Sequence, residues 1–332
     1  MFSLLNHFAP RFGGLSLLCG LFVGLLLLSA SSLVPAFAAP KAPKQTAKLP
    51  RTGTVVAWGD NSSGQATVPG GLTGVVAIAA GNIYSLALKS DGTVVAWGAH
   101  GYEAEVAVPA GLSGVVAIAA GSGQSLALKK DGTVVAWGDN GFNEATVPAG
   151  LSGVVAIAAS RHYSMALKRD GTVVGWGIGY DTPPAGLSQV VAIAAGRNHE
   201  LALKSDGTVV SWGSMTSVPE GLTGVTAIAV GHGSSLALKS DGTVVTWGYA
   251  DTAPDSLSHV VAIALGNDFC LALKSDGKVV KWGGASQGNE FGVTFGGQTN
   301  SNQTTMPPYL PPAFAIAAGR DHVLALVSPP AP

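Results

Sequence analysis

From residue 51 onward, short apolar runs alternate with glycine-punctuated polar turns in one recurring order. A run of small apolar residues comes first, as in Val75-Val76-Ala77-Ile78-Ala79-Ala80-Gly81. Ser85-Leu86-Ala87-Leu88 follows, then the polar turn Lys89-Ser90-Asp91-Gly92, then the run Thr93 to Trp97. Runs this short, rich in valine and bounded by glycine, predict β-strands and exclude a helical solenoid. Asp-Gly between two such runs predicts a hairpin, because glycine accepts the left-handed position that closes the turn. The unbroken apolarity of the first run suits a strand covered on both faces.

The first valine and the tryptophan lie 22 residues apart in six successive units, from Val75–Trp97 through Val260–Trp282. The stretch from each tryptophan to the next unit varies instead, between 13 and 31 residues. The module is rigid and its connection is not. A seventh unit is split between the chain ends. Strand Thr54–Trp58 has no partner before it, and the runs Ala315–Gly319 and Val323–Leu326 have no tryptophan strand after them. A repeat of about 35–40 residues with three or four strands fits a propeller blade. The expected fold is therefore all-β, a seven-bladed β-propeller over residues 51–327, closed by pairing Thr54–Trp58 with Val323–Val327. The alanine-rich strand is expected innermost, where only small side chains fit, and the tryptophans between neighbouring blades. Ala66-Thr67-Val68-Pro69 and its equivalents are expected as a fourth strand, proline suiting an edge.

Alternating strand direction sorts the loops onto two faces. The Lys-Ser-Asp-Gly turns share one face. The first-to-second connections and the stretches after tryptophan share the other, which carries all the length variation. Binding residues concentrate on variable loops held by a rigid scaffold. The candidate partner-binding residues are accordingly Tyr84, Tyr102, Phe142, Tyr163, Tyr180, Tyr249, Phe269, Phe291 and Phe295, since aromatic side chains bury much area at low entropic cost. Tyr84, Tyr163 and Phe269 have packing beneath their own loops as the competing account. They belong to a ring of seven equivalent positions with Gln124, His199, Ser234 and His322, where the histidines suit structural hydrogen bonding. Only Arg161, Arg197 and Arg320 supply positive charge on the variable face, so that face is expected to be acidic and to favour a protein partner with a cationic patch.

Other chemistry is sparse. A metal site needs three or four convergent ligands, and His162, His199 and His232 would converge only with all three side chains pointing axially; no metal and no cofactor is expected. Gly284-Ala285-Ser286-Gln287-Gly288 is a G-x-S-x-G match that lacks the strand-to-helix elbow its mechanism requires. Asp60-Asn61 and Asp139-Asn140-Gly141 read as turn formers rather than calcium loops. The innermost strands offer Val, Ala, Ile and Leu, which leaves a lyase or glycosidase active site as the alternative rather than the expectation. The Gly283–Asn302 insertion has no counterpart in the other units.

Residues 1–38 read as an export signal. An apolar run, Leu15 to Leu28, is followed by the A-x-A site Ala36-Phe37-Ala38, with cleavage after Ala38. An uncleaved anchor is the alternative, and only then is a membrane involved. Residues 39–50, with Pro40, Pro43 and Pro50 among three lysines, read as a solvated linker, and 328–332 as a tail. A secreted or periplasmic monomer is expected. Removal of the leader takes Cys19 with it and leaves Cys270 as a small buried thiol. Of the 332 residues, 47% are apolar and 11% charged, which supplies a large core and excludes disorder. A net charge of −1 gives no electrostatic case for a nucleic-acid partner.

The pattern Val-Val-Ala-Ile-Ala-Ala-Gly-x-x-x-Ser-Leu-Ala-Leu-Lys-x-Asp-Gly-Thr-Val-Val-Ala-Trp-Gly resembles the regulator of chromosome condensation repeat across residues 51–327. Within that superfamily, Trp58-Gly59-Asp60-Asn61 followed by Gly64-Gln65-Ala66-Thr67-Val68-Pro69 is most similar to the secreted bacterial β-lactamase inhibitory proteins of type II. The resemblance implies a seven-bladed propeller that binds a protein through the loops of one face. In that inhibitor family the contact loops are rich in Trp and Tyr, whereas all seven tryptophans here belong to the blade motif. For eukaryotic members it implies nucleotide exchange on a small GTPase, a partner an exported chain does not meet.

Overall fold

A computed structural model describes residues 51–100, 104, 106–178, 182–214, 217–284 and 306–329. Seven three-stranded antiparallel sheets form a seven-bladed β-propeller. In chain order β1 is Thr54–Gly59, β2 Val75–Ala80, β3 Tyr84–Lys89 and β4 Val94–Gly98. The pattern repeats as β5 Val115–Ala120, β6 Gln124–Lys129 and β7 Val134–Gly138, then β8 Val154–Ala159, β9 Tyr163–Lys168 and β10 Val173–Gly177. It continues as β11 Val190–Ala195, β12 His199–Lys204, β13 Val209–Gly213, β14 Val225–Val230, β15 Ser234–Lys239 and β16 Val244–Gly248. The last strands are β17 Val260–Leu265, β18 Phe269–Lys274, β19 Val279–Gly283, β20 Ala313–Ala318 and β21 His322–Val327. The first strand of each blade touches the first strands of both neighbours, which makes the alanine-rich strands the inner ring.

The ring closes as the split unit implied. β1 pairs with β21 antiparallel, Thr54 facing Val327 and Trp58 facing Val323. Arg51 adds a bond to Ser328 and lies 4.5 Å over the Phe314 ring. The expected fourth strand is absent among the described residues: Ala66–Pro69 forms no ladder. Its amides are taken elsewhere. Ala66 N donates to Asn61 Oδ1 at 2.9 Å and Thr67 N to Gly64 O at 3.0 Å, while Pro69 has no N–H. Val68 nonetheless packs into the core beside Leu72 and Trp97.

The turns on the invariant face owe their shape to two residues. Gly92 sits at φ 80°, with its N–H on Lys89 O at 2.9 Å. Asp91 accepts Thr93 N at 3.0 Å and Thr93 Oγ1 at 2.6 Å. These bonds hold the Asp91 carboxyl down to about 2, Thr93 contributing more than Lys89. The core lies between blades rather than within them. One apolar cluster, for example, joins Val55, Leu324 and Leu326 of the closing blade to Ile78, Ala87 and Trp97 of the next. Among the described residues no helix is long and apolar enough to cross a membrane.

Candidate functional site: the loop-bearing face

Both sets of loops assigned to the variable face meet there. In six of the seven blades the residue after Trp-Gly donates its backbone N–H to the first-to-second connection, for example Ile178 N to His162 O at 3.0 Å, Ser214 N to Asn198 O at 2.9 Å and Tyr249 N to Gly233 O at 3.0 Å. The first-to-second connections surround an open axial cavity of about 530 Å³, which Ser63 and Asp139 also line. Seven equivalent positions stand around it: Asn82, Ser122, Arg161, Arg197, His232, Asn267 and Arg320. Backbone bonds stitch this rim from blade to blade, Ser122 N to Ser160 O at 3.1 Å and Arg320 N to Gly81 O at 3.2 Å among them.

The centre of this face is basic, with Arg161, Arg197 and Arg320 lining the cavity, which corrects the expectation of an acidic face there. Burial first, then the charges of Arg161 and Arg320, holds the Arg197 guanidinium below its ordinary value. Burial and Arg197 likewise lower His232. Among the described residues Asp139 is the one acid that lines the cavity. Asp60, Asp268 and Asp321 stand near one another and do not line the cavity, and burial raises the Asp321 carboxyl. Counting charges along the chain could not reveal this split, because it does not tell that Arg161, Arg197 and Arg320 line the cavity while Asp268 and Asp321, one residue further in their blades, do not.

Tyr84, Tyr163 and Phe269, expected at the partner-binding surface, are instead buried. With their equivalents they form an inter-blade girdle. Tyr84 Oη donates to Gln124 O at 2.5 Å and accepts Ser125 Oγ at 3.1 Å. Gln124 Nε2 donates to Ser160 O at 3.0 Å and to Tyr163 O at 3.2 Å. His199 Nε2 lies 2.6 Å from Ser235 Oγ, and His322 Nε2 lies 3.0 Å from Ser85 Oγ. Burial pushes both histidines down to about 4, so they are neutral at pH 7. Tyr84, Gln124, His199 and His322 reach sideways into the next blade, whereas the Tyr163 hydroxyl lies against Gly175 of its own blade.

Tyr249 is 81% exposed and Phe142 38% exposed, both on the variable face as expected. Ile178, exposed at the position equivalent to Tyr249, joins them, an aliphatic residue that a criterion confined to aromatic side chains passes over. Tyr102, Tyr180, Phe291 and Phe295 lie outside the described residues, as does most of the 283–302 insertion. Cys270 is buried opposite Trp282, and burial, with Asp251 second, pushes its thiol up to about 12.

The tryptophans are structural. Trp97 Nε1 donates to Gln65 O at 2.9 Å, and Ser85 Oγ donates to the same carbonyl at 2.8 Å. Trp176 Nε1 and Ser164 Oγ clamp Glu144 O identically, at 2.9 and 2.8 Å. Each pair pins the loop that follows the preceding tryptophan. In the second case the pinned residue, Glu144, is fully buried and faces His162, its Oε1 lying 3.5 Å from Nδ1. Asp139 joins them, all three donor groups within 4.8 Å of one another. His162 is thereby held against Glu144 rather than with His199, which faces Ser235.

The chain is thus a seven-bladed propeller with an invariant turn face and an arginine-centred loop face. Residues 115–144 and 190–217 match the regulator of chromosome condensation (RCC1) repeat. No curated protein sequence matches the chain. Among solved structures it is similar to human WBSCR16 (18% identity, TM-score 0.64, covering 83% of this chain and 99% of that one). It is similar to Prp20p from Saccharomyces cerevisiae, which binds Gsp1p and histones (19%, 0.66, 84% and 92%). The ectodomain of the Arabidopsis thaliana receptor kinase ACR4 is also similar (22%, 0.57, 71% and 84%). At these identities the likeness is one of fold.

Proposed function

We propose that the chain is an exported, non-enzymatic protein-binding propeller that recognises its partner through the loop face. The observation that carries this reading is the asymmetry of the two faces. One repeats the same aspartate-capped turn in six of the seven blades. The other combines loops of unequal length with exposed Tyr249, Ile178 and Phe142 around a basic cavity. Apolar anchors beside a charged centre are what a protein interface uses for affinity and register. The arginine cluster replaces the cationic partner with its complement, a partner that inserts carboxylates at the axis while its apolar side chains meet the rim. The binding of Gsp1p and histones by Prp20p supports a protein partner as the class. A β-lactamase inhibitor is one specific form of this reading, supported by the Trp58–Pro69 motif alone.

Capture from the envelope of the exporting cell tests it. The immobilised full chain is expected to retain a protein in stoichiometric amount. Arg197→Glu and Tyr249→Ala should each release that protein at unchanged melting temperature, while Ser90→Glu on the turn face should not. Equal capture by all three variants contradicts the surface assignment. Turnover abolished by a single carboxylate substitution contradicts the non-enzymatic reading.

A further inference from the structure

Two loops of the variable face are near copies, which gives the molecule an internal control. Residues 60–69 and 139–148 share Asp-Asn at the start and Ala-Thr-Val-Pro at the end. They also share hydrogen bonds: Asn61 Oδ1 accepts Ala66 N and Asn140 Oδ1 accepts Ala145 N, both at 2.9 Å. In the first loop Gln65 Oε1 accepts Ser63 N at 2.8 Å, and its Nε2 donates to Asp60 Oδ2 at 2.9 Å. Both ends of that amide are used. In the second loop the residue is Glu144. Its Oε2 accepts Phe142 N at 2.7 Å, but a carboxylate has no hydrogen to give Asp139. The facing residue changes as well, from Ile83 to His162.

The outcome is an arrangement that the chain's own groups leave unfinished, with Glu144 buried, His162 half-buried and Asp139 exposed. Glu144 Oε1 and His162 Nδ1 are shielded from solvent, and neither makes a hydrogen bond. A fully buried carboxylate beside a second one demands a positive charge. We propose that Asp139, Glu144 and His162 bind a divalent cation of the zinc, cobalt or manganese class. The mixed nitrogen and oxygen donor set suits these ions, whereas calcium takes six to eight oxygens. The 3.5 Å between Nδ1 and Oε1 is close to the edge of a tetrahedron with bonds of about 2.1 Å. Three protein ligands leave a fourth position for water or a group from outside. The ligands are held from behind: Trp176 and Ser164 fix the Glu144 main chain, and the Phe142 ring lies 4.3 Å from the imidazole. The rival arrangement is a protonated His162 paired with Glu144 and no ion.

Calorimetric titration of the chelator-stripped full chain with zinc chloride separates the two, with cobalt chloride giving a visible spectrum in parallel. One zinc per chain is expected, with zinc raising the melting temperature. Glu144→Gln, which installs the residue of the sister loop, should weaken zinc binding by about 100-fold or more. The same variant should melt no lower than the parent in chelator. His162→Ile should also abolish the cobalt spectrum. No saturable uptake of either ion overturns the site in favour of the protonated pair, whatever the variants do. Equal zinc affinity in Glu144→Gln, or a cobalt spectrum unaltered by His162→Ile, overturns the ligand assignment.

Discussion

Single residues carry more of this fold than their small size suggests. Gly175 replaces the alanine found in β4 and β7, and a methyl group there would collide with Tyr163 Oη. Gly175→Ala is therefore expected to cost about 1–3 kcal/mol, read from denaturant unfolding. Trp176→Phe keeps the packing but removes one of the two donors on Glu144 O, for about 1–2 kcal/mol. The buried histidines set the pH response. Below about pH 6.5 the unfolded chain takes up protons that His199 and His322 refuse until about pH 4. Stability is full above pH 6.5 and falls as the pH drops through that interval, by on the order of 3 kcal/mol per histidine. The turn aspartates, with depressed values, lose their contribution only at lower pH. His322→Gln, which installs the residue found at the equivalent position 124, should remove about half of this acid sensitivity; an unchanged pH profile of unfolding would refute the assignment. At this scale the sequence was least legible. Tyr84, Tyr163 and Phe269 resemble surface anchors until the girdle is seen, because their burial depends on the blade beside them. The Gln65–Glu144 difference is visible on aligning two loops, but its meaning needs the proximity of His162.

At the scale of the element, the blade was legible almost throughout. Valine-rich runs of constant spacing and an Asp-Gly turn leave little freedom in register, and all three strands of each blade fall where the pattern put them. Ala66–Pro69 is the exception. Its β-prone residues suggested pairing, but Asn61 and Gly64 claim the amides that a ladder would need. Asn61→Ala is expected to loosen this loop and raise hydrogen exchange at Ala66, with β2 to β4 unaffected. Protection unchanged at Ala66 would show that Asn61 is not what holds the segment. Cys270, the one cysteine among the described residues, follows the same logic of burial. Cys270 should resist Ellman's reagent in the folded chain and react fully in denaturant.

The whole molecule is a ring whose two faces do different things, and the chain closes it with its own ends. Every inter-blade cluster, the axial rim and the girdle presuppose that no blade is left open. β1 supplies that closure. A terminal strand that merely leaned on the ring would fray, whereas one that completes a blade is as protected as its equivalents. Hydrogen exchange across β1 tests this most directly. The amides of Thr54–Gly59 bonded to β21 are expected to exchange as slowly as those of β4 and β7. Exchange of β1 orders of magnitude faster, with the other blades still protected, would mean an open ring and a loop face without its fixed geometry.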